Sequence, residues 1–450
     1  MDKGKIIEIL NEWNFWKKDI ESGIPREKYL NKILEFIKSY KVISVVGVRR
    51  SGKSTLIKQI ARTLIEGGTP RSDILIVNFE EPQFENVDVS FLVRIYQAYR
   101  EIIRPVGKPY LFLDEVQNVK NWERFVRSTN EKKEAHLVIS GSSSKLLSEE
   151  LATVLTGRQL YFEVFPLSFE EFLNFKNLKI KEEKDILLNA PEIKGFFREY
   201  LSFGGFPEVV LSSNEEFKRR VLISYYEDII NRDIVQRFKV KKIEQLKAVV
   251  HFYLTNISSH ISFNSVSRFV KLPVETTRRF SSYIEISDLV FFVKRFSFSV
   301  KEQENSPRKV YSIDVGLSNM VGFKFSKDFG KVAENLVALK LKTFVKLSSG
   351  REIYYWKNHY GDKEVDFVVK DGLEVKNLIQ VSWDISNEKT KKREINALLK
   401  AMEEFKLKEG LIITEDYENE EKIKGKKIIF TPLWKWLCDS YKNEKTTWMN

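Results

Sequence analysis

The feature that most limits the fold of this chain is a segment in which an apolar run gives way to a glycine-rich turn. The run Val42–Val46 predicts a buried strand, and helical periodicity begins again at Lys53. Between them, Gly47 and Gly52 stand at the spacing G-x-x-x-x-G-K-S, which ends at Ser54. Between a strand and a helix, this spacing lets backbone N–H groups surround an anion, and the helix N-terminus adds its positive dipole end. The segment therefore predicts an α/β fold with a phosphate-binding loop.

Apolar runs recur after the loop, separated by stretches of helical character. They occupy residues 74–79, 110–113, 137–140 and 160–165. Short β-branched runs that alternate with helices are typical of a parallel sheet with crossover helices. Together with the helical segments before Val42, the pattern predicts a first domain over residues 1–175.

Three further domains are expected. Residues 176–260 predict a helical lid, interrupted at Gly204-Gly205-Phe206-Pro207 because paired glycines and a proline break a helix. Residues 261–325 predict two short helices joined at Pro273 and then a β-hairpin, which is the order of a winged helix. Residues 326–450 alternate strands and helices and predict a separate α/β domain.

The loop and the third apolar run together predict a site for ATP and Mg²⁺. Lys53 is expected to reach the β- and γ-phosphates, and the Ser54 hydroxyl, with Thr55 beside it, to bind Mg²⁺. Asp114 and Glu115 follow the run 110–113 at the strand's carboxyl end, where α/β sheets place their chemistry. Asp114 is expected to hold the Mg²⁺ shell and Glu115 to activate the attacking water as a general base. The expected loop contacts come from Gly47, Arg49, Arg50, Ser51, Gly52, Lys53, Ser54 and Thr55.

Other polar residues are candidates for completing this site. Ser142 or Ser143, after the run 137–140, would sense the γ-phosphate, although a serine-rich turn is the alternative. Arg158 is a candidate arginine finger, within its own chain or across a subunit boundary, or else an exposed arginine. Arg49 and Arg50 would contact the nucleotide or a neighbouring domain.

Charge and cysteine usage bear on partners and location. The net charge of +12 and a pI near 9.2 fit nucleic acid or another polyanion, or simply a Lys/Glu-rich surface with a basic excess. Cys438 stands alone, so no intrachain disulfide forms and a reducing cytoplasm is expected. No apolar run reaches the ~18 residues of a membrane span, and the N-terminus lacks the apolar core of a signal peptide.

The predicted winged helix offers one surface for such a partner. The helix after Pro273 carries Thr276, Arg278 and Arg279 on one side, with Phe280 on the other. Arginine and threonine on an exposed helix can contact base edges or phosphates. The alternative is a winged helix that packs on the ATPase domain as a lid or relay.

Many ordered segments carry a resemblance to a known family. Beyond the loop, they are Ile24-Pro25-Arg26-Glu27, Asn78-Phe79-Glu80-Glu81-Pro82, Leu113-Asp114-Glu115-Val116-Gln117-Asn118-Val119 with Trp122, Gly141-Ser142-Ser143, Gly157-Arg158, Pro166-Leu167-Ser168-Phe169, Gly204-Gly205-Phe206-Pro207 and Glu364-Val365-Asp366-Phe367. With these, nearly the whole chain resembles the archaeal and bacterial ATPases of the AAA+/ASCE P-loop class. In that family a C-terminal domain of unknown function with a nuclease-like fold follows the ATPase domain. The resemblance implies ATP binding and hydrolysis.

The resemblance also implies a site like that of PD-(D/E)XK nucleases, in which carboxylates hold a metal ion and a lysine acts beside them. Glu334 and Asp366 match this pattern, but two registers compete for the Glu-x-Lys positions. In the first, Glu374-Val375-Lys376 supplies them. In the second, which the apolar alternation of 378–382 favours, Gln380 and Ser382 stand there. A metal at Glu334, Asp366 and Gln380 is then expected to be held weakly, and Ser382 cannot supply the charge of a lysine. The catalytic set is therefore expected to be degraded.

Three functions follow as hypotheses. The first is an ATP-driven switch or motor on nucleic acid, DNA in particular, contacted through the winged helix and the C-terminal domain. Here Lys389, Lys391, Lys392 and Arg393 would meet phosphates, or else form the solvated face of a helix. The second is a regulatory ATPase with a protein partner, and the third is an ATP-regulated, metal-dependent nuclease. A homo-oligomer is expected if Arg158 acts in trans, and a monomer if the terminal domains cover the ATPase edge.

Overall fold

The computed structural model describes residues 1–39, 41–84, 87–141, 159–322, 328–348 and 350–438. It divides into two compact units, Met1–Phe165 and Pro166–Asn450. The finer division into lid, winged helix and C-terminal domain stays a prediction. Among the residues described, no helix is long and apolar enough to cross a membrane.

The first unit is built on a parallel sheet of five strands, as the alternating apolar runs predicted. Its strands are β1 (Val42–Val46), β2 (Ile74–Asn78), β3 (Tyr110–Asp114), β4 (His136–Gly141) and β5 (Gln159–Glu163). They lie in the order β2-β3-β4-β1-β5. Every residue of β1 and β3 is buried, because helices cover both faces of a parallel sheet. The helices are α1 (Lys3–Asn11), α2 (Glu27–Phe36), α3 (Lys53–Glu66), α4 (Val89–Ala98) and α5 (Trp122–Glu131).

This strand order determines which polar residues meet. Because β4 lies between β1 and β3, its carboxyl end separates the loop after β1 from the end of β3. Val46 is level with Gly141, and Leu113 is level with Ile139. Residues that follow these strands therefore gather at one edge of the sheet.

The N-terminal segment covers the edge strand β2. The Asn14 side chain accepts a hydrogen bond from the N–H of Ile76 (2.7 Å) and donates one to its carbonyl (2.8 Å), as a neighbouring strand would. The indole N–H of Trp16 donates to the carbonyl of Ile74 (2.8 Å). This cover satisfies backbone groups that an open edge would offer to another chain.

The second unit begins with a helical region. Its helices are α6 (Phe169–Phe175), α7 (Glu183–Leu188), α8 (Ala190–Phe203), α9 (Pro207–Leu211), α10 (Glu215–Asp228), α11 (Ile243–Thr255), α12 (Phe263–Val270), α13 (Val274–Ile286), α14 (Val300–Asn305), α15 (Val315–Val321), α16 (Phe329–Leu347), α17 (Glu388–Glu404) and α18 (Leu433–Cys438). The expected break between α8 and α9 is present. Gly204 has a φ of 72°, and a Cβ on Gly205 would lie 2.2 Å from the carbonyl oxygen of Leu167.

The strands of the second unit form one mixed sheet of nine, in the order β13-β14-β12-β11-β10-β9-β7-β8-β6. They are β6 (Ser259–Ile261), β7 (Val290–Arg295), β8 (Arg308–Ser312), β9 (Arg351–Lys357), β10 (Glu364–Asp371), β11 (Glu374–Val381), β12 (Glu409–Thr414), β13 (Asn419–Ile423) and β14 (Lys426–Pro432). β6, β8 and β7 pair antiparallel, and β7 then pairs parallel with β9 through Lys294 and Arg295. The expected α/β class is therefore confirmed for the chain.

Two details of this sheet differ from the sequence expectations. The segment between the two strands of the expected β-hairpin contains a short helix, α14, because the Ser299 side chain accepts a hydrogen bond from the N–H of Glu302 and caps it. In addition, β11 begins at Glu374, after a turn in which Gly372 has a φ of 58°. Glu374, Lys376 and Gln380, which come from the two competing registers, thus lie on one continuous strand, and Ser382 follows its end.

Candidate nucleotide site and a second polar cluster

The loop after β1 has the backbone geometry that its glycines predicted. Gly47 has a φ of 136°, and a Cβ there would lie 2.2 Å from the carbonyl oxygen of Val164. Gly52 has a φ of 96° and is the N-cap of α3, which begins at Lys53. A glycine cap has no side chain to occupy the first N–H groups of the helix, so those donors remain available to an anion.

Lys53 lies under the loop and is 4% exposed. Its ammonium donates to the carbonyls of Gly47 (3.1 Å) and Val48 (3.2 Å) and lies 3.9 Å from the Glu115 carboxylate. Lys53 and Glu115, the residue that follows β3, therefore share one buried site.

Ser140, near the end of β4, contacts the carboxylate of Asp114 and the backbone of Glu115 at the end of β3. Its hydroxyl donates to Asp114 and accepts the N–H of Glu115 at 3.1 Å. Glu115 has a φ of 52°, a left-handed conformation that few non-glycine residues adopt, so this backbone needs support from its surroundings. The amide of Gln117 donates to the Glu115 carboxylate at 2.5 Å.

The pKa values of the two carboxyl groups are both raised. Burial raises the pKa of Asp114, opposed by the hydroxyls of Ser140 and Ser54 and by the Lys53 ammonium. Burial likewise raises the pKa of Glu115, opposed by Lys53. A carboxylate with a raised pKa is better matched to accepting a proton near neutral pH.

Several loop residues fit a phosphate and a cation, although the roles expected for them remain predictions. The Ser51 hydroxyl is buried and finds no hydrogen-bond partner among the residues described, so it is a donor that a bound anion would satisfy. Ser54 and Thr55 are exposed, and the Ser54 hydroxyl interacts with Asp114. Arg49 pairs with Glu80 at 2.8 Å, and Arg50 has a φ of 68°.

Sequence reasoning missed Ser140, Gln117 and Arg26. Arg26 is 3% exposed, and its guanidinium donates to the carbonyls of Ser51 and Phe165, each at 2.9 Å. It thereby ties the phosphate loop to the chain that follows β5. The available signals were a serine at the carboxyl end of an apolar strand and an arginine in the segment 24–27. Ser142, Ser143 and Arg158 lie outside the described residues.

A second polar cluster lies in the other unit, around Lys309 of β8. Lys309 is 3% exposed, and its ammonium lies 2.6 Å from Asp366, 2.8 Å from Glu364 and 3.0 Å from Glu334. Burial acts to lower the pKa of Lys309, but Asp366 and Glu334 raise it well above its usual range. Sequence reasoning gave Lys309 no role.

The remaining groups of this cluster are also paired. The second oxygen of Asp366 accepts the N–H of Val381 at 2.9 Å. Gln380, predicted to lie at this site, accepts the N–H of Asp366 through Oε1 (3.2 Å) and donates through Nε2 to Glu394 (2.8 Å). In the described part of the chain, no three His, Cys, Asp or Glu side chains are arranged to hold a metal ion.

Comparison with known proteins supports part of these expectations. Residues 39–173 match the family model of an AAA domain, while 195–336 and 329–436 match two models described as domains of unknown function, DUF8612 and DUF4143. The first unit therefore contains an AAA-type P-loop ATPase domain, as the resemblance implied. The matched models do not support the nuclease-like part of that resemblance.

Similar proteins extend over nearly the whole chain. The "Uncharacterized protein MJ1544" of Methanocaldococcus jannaschii is 34% identical, and the match covers 91% of each chain. An "Uncharacterized protein" of Haemophilus influenzae is 29% identical over 91% of this chain and 98% of its own. Among solved structures, the Walker-type ATPase paby2304 of Pyrococcus abyssi is 12% identical, with a TM-score of 0.43 over 68% of this chain and 97% of that one.

Proposed function

This chain belongs to the family of the M. jannaschii protein MJ1544, and from that premise we propose that it hydrolyses ATP with Mg²⁺ to drive a conformational switch on nucleic acid. The observation that carries the proposal is the convergence of Lys53, Asp114 and Glu115 at one buried edge of the parallel sheet. An ammonium beneath a phosphate loop and two adjacent carboxylates are the parts that phosphoryl transfer to water needs.

Each part has a distinct task. Lys53 would exchange its bonds with the loop carbonyls for the β- and γ-phosphates, while the N-terminus of α3 binds the same charge. Ser54 and Asp114 are the residues suited to hold Mg²⁺, which when bound would neutralise charge that develops on the phosphates. Glu115 would accept the proton of the attacking water, with Gln117 fixing the orientation of its carboxylate. Ser142 or Ser143 as γ-phosphate sensor and Arg158 as arginine finger complete the proposal.

Steady-state ATP turnover with and without EDTA tests this assignment. Lys53→Ala should weaken nucleotide binding, whereas Glu115→Gln should bind ATP and turn it over at least tenfold more slowly. Lys58→Ala, which removes a lysine five residues further along α3, is the matched control and should leave turnover unchanged. A wild-type rate of ATP turnover in Glu115→Gln would show that Glu115 is not the general base.

The nucleic-acid part of the proposal is supported by a basic cleft in the second unit. The cleft has a volume of about 340 Å³ and lies between α13 and the segment that precedes α11. Its lining includes the cationic side chains of Lys239, Lys241, Lys242 and Arg279, all exposed. Beside it, Tyr283 stacks on Phe238 with ring centroids 4.0 Å apart. Clustered cations beside an exposed helix are suited to phosphate contacts, and the segment from α12 to β8 has the helix and strand order of a winged helix.

Fluorescence anisotropy with labelled duplex and single-stranded DNA tests this surface. Arg279→Ala combined with Lys241→Ala should weaken binding and make the plot of log affinity against log salt shallower by about 2, since each lost phosphate contact removes about one unit. Arg219→Ala combined with Arg220→Ala on α10 is the control with the same change in net charge. Equal DNA affinity of the wild type and both double variants would exclude this cleft as the DNA-binding surface. Absence of any DNA effect, combined with nucleotide-dependent association, would instead favour a protein-partnered switch.

A further inference from the structure

The metal site expected in the second unit is occupied by a side chain. A divalent ion held by Glu334 and Asp366 would need their oxygens at about 2–2.5 Å. The Lys309 ammonium already contacts both carboxylates and Glu364 as well. An ammonium has three N–H donors, so three carboxylates match its hydrogen-bonding capacity.

The outer side of the cluster is also satisfied by protein groups. The Tyr311 hydroxyl donates to Glu334 at 2.7 Å. Glu364 lies 2.9 Å from the imidazole of His260 and 3.2 Å from the ammonium of Lys357. A divalent ion would therefore have to displace a buried lysine and add charge to a cluster whose carboxylates are already compensated.

The segment expected to carry the Glu-x-Lys pair also lacks side chains suited to a metal. Gln380 uses both ends of its amide on neighbours, and Ser382 is 7% exposed with no charge to offer. The positive charge absent from Ser382 is supplied instead by Lys309, from a strand earlier in the chain.

We propose that Lys309 is the resident cation of this site, standing where a divalent metal would have to bind, and that the second unit does not cut nucleic acid by a metal-dependent route. Lys309 and the carboxylates of Glu334, Glu364 and Asp366 then form a structural ion cluster that joins β8 to β10 and α16. This proposal does not rest on ATP hydrolysis, so the two can fail separately.

Mn²⁺ binding to the full chain without nucleotide, followed by electron paramagnetic resonance, tests the proposal. Wild type and Asp366→Asn should bind the same number of ions. Lys309→Ala should gain one Mn²⁺ per chain, and the double variant Lys309→Ala with Asp366→Asn should lose it again. Lys218→Ala removes another lysine that is 3% exposed and pairs with Glu199, outside the cluster, and should gain none.

Two results would overturn the proposal. One is wild-type Mn²⁺ binding that Asp366→Asn abolishes, because the metal would then displace the lysine. The other is a folded Lys309→Ala protein that gains no ion. If Lys309→Ala does not fold, cleavage of supercoiled DNA with Mn²⁺ still decides: wild type should cut no more than Asp366→Asn, and cutting lost in that variant refutes the assignment.

Discussion

Ser140→Ala removes one hydroxyl that bonds to the Asp114 carboxylate and to the backbone N–H of Glu115 in the candidate ATP site. The bond to Asp114 has a charged acceptor, and bonds of this kind contribute about 1.5–3 kcal/mol. The substitution also leaves the buried N–H of Glu115 without its partner, which costs about 1–3 kcal/mol. We therefore expect the first unit to lose about 3 kcal/mol of unfolding free energy, since the two effects overlap.

The same change should slow catalysis more than it weakens binding. If about 2 kcal/mol of the lost stabilisation acts only on the transition state, kcat falls roughly 30-fold. KM for ATP should stay within about twofold, because Lys53 and the N-terminus of α3 remain in place.

The assay is steady-state ATP turnover together with urea unfolding of the same preparations. Ser44→Ala on β1 is the matched control: Ser44 is fully buried in the same sheet, but its hydroxyl bonds to Gln159 and not to a carboxylate. A kcat for Ser140→Ala within twofold of that of Ser44→Ala would refute the positioning role.

Two further predictions concern the second unit. Gly205→Ala should destabilise it by several kcal/mol in thermal or urea unfolding, because the added Cβ would lie 2.2 Å from the Leu167 carbonyl, whereas Gly195→Ala, with open space around it inside α8, should stabilise by about 0.5–1 kcal/mol. Equal effects of the two substitutions would contradict the close approach. Burial raises the pKa of Asp314 from 3.8 to about 6, so the folded state keeps this proton longer than the unfolded chain does and stability is lost as pH rises from about 4 to about 6. The loss should be about 3 kcal/mol and absent from Asp314→Asn, and parallel pH profiles of the two proteins would contradict it.

The sequence predicted what depends on neighbours along the chain. Alternating apolar runs predicted the strands of the first unit, and the spacing from Gly47 to Ser54 predicted the loop geometry, because glycine conformations and helix starts are local. The apolar alternation of 378–382 also placed Gln380 at the same site as Asp366, and the Gln380 amide oxygen accepts the backbone N–H of Asp366.

What sequence reasoning missed depends on pairing between distant segments. Ser140 meets Asp114 across 26 residues, and Lys309 meets Asp366 across 57, because β4 inserts beside β3 and β7 pairs with β9. A lone lysine in a strand looks like an ordinary surface residue until that pairing is known.

The parallel pairing of β7 with β9 determines how this chain can be cut into fragments. A fragment of residues 326–450 would leave β9 as an open edge, with unpaired N–H and C=O groups that invite another copy to add a strand. The fragment would also lack Lys309, so Glu334 and Asp366 would lose the cation between them, while Glu364 would keep only Lys357. Anyone expressing the C-terminal region alone should therefore expect aggregation and begin the fragment before β6, so that the whole sheet and its internal cation stay together.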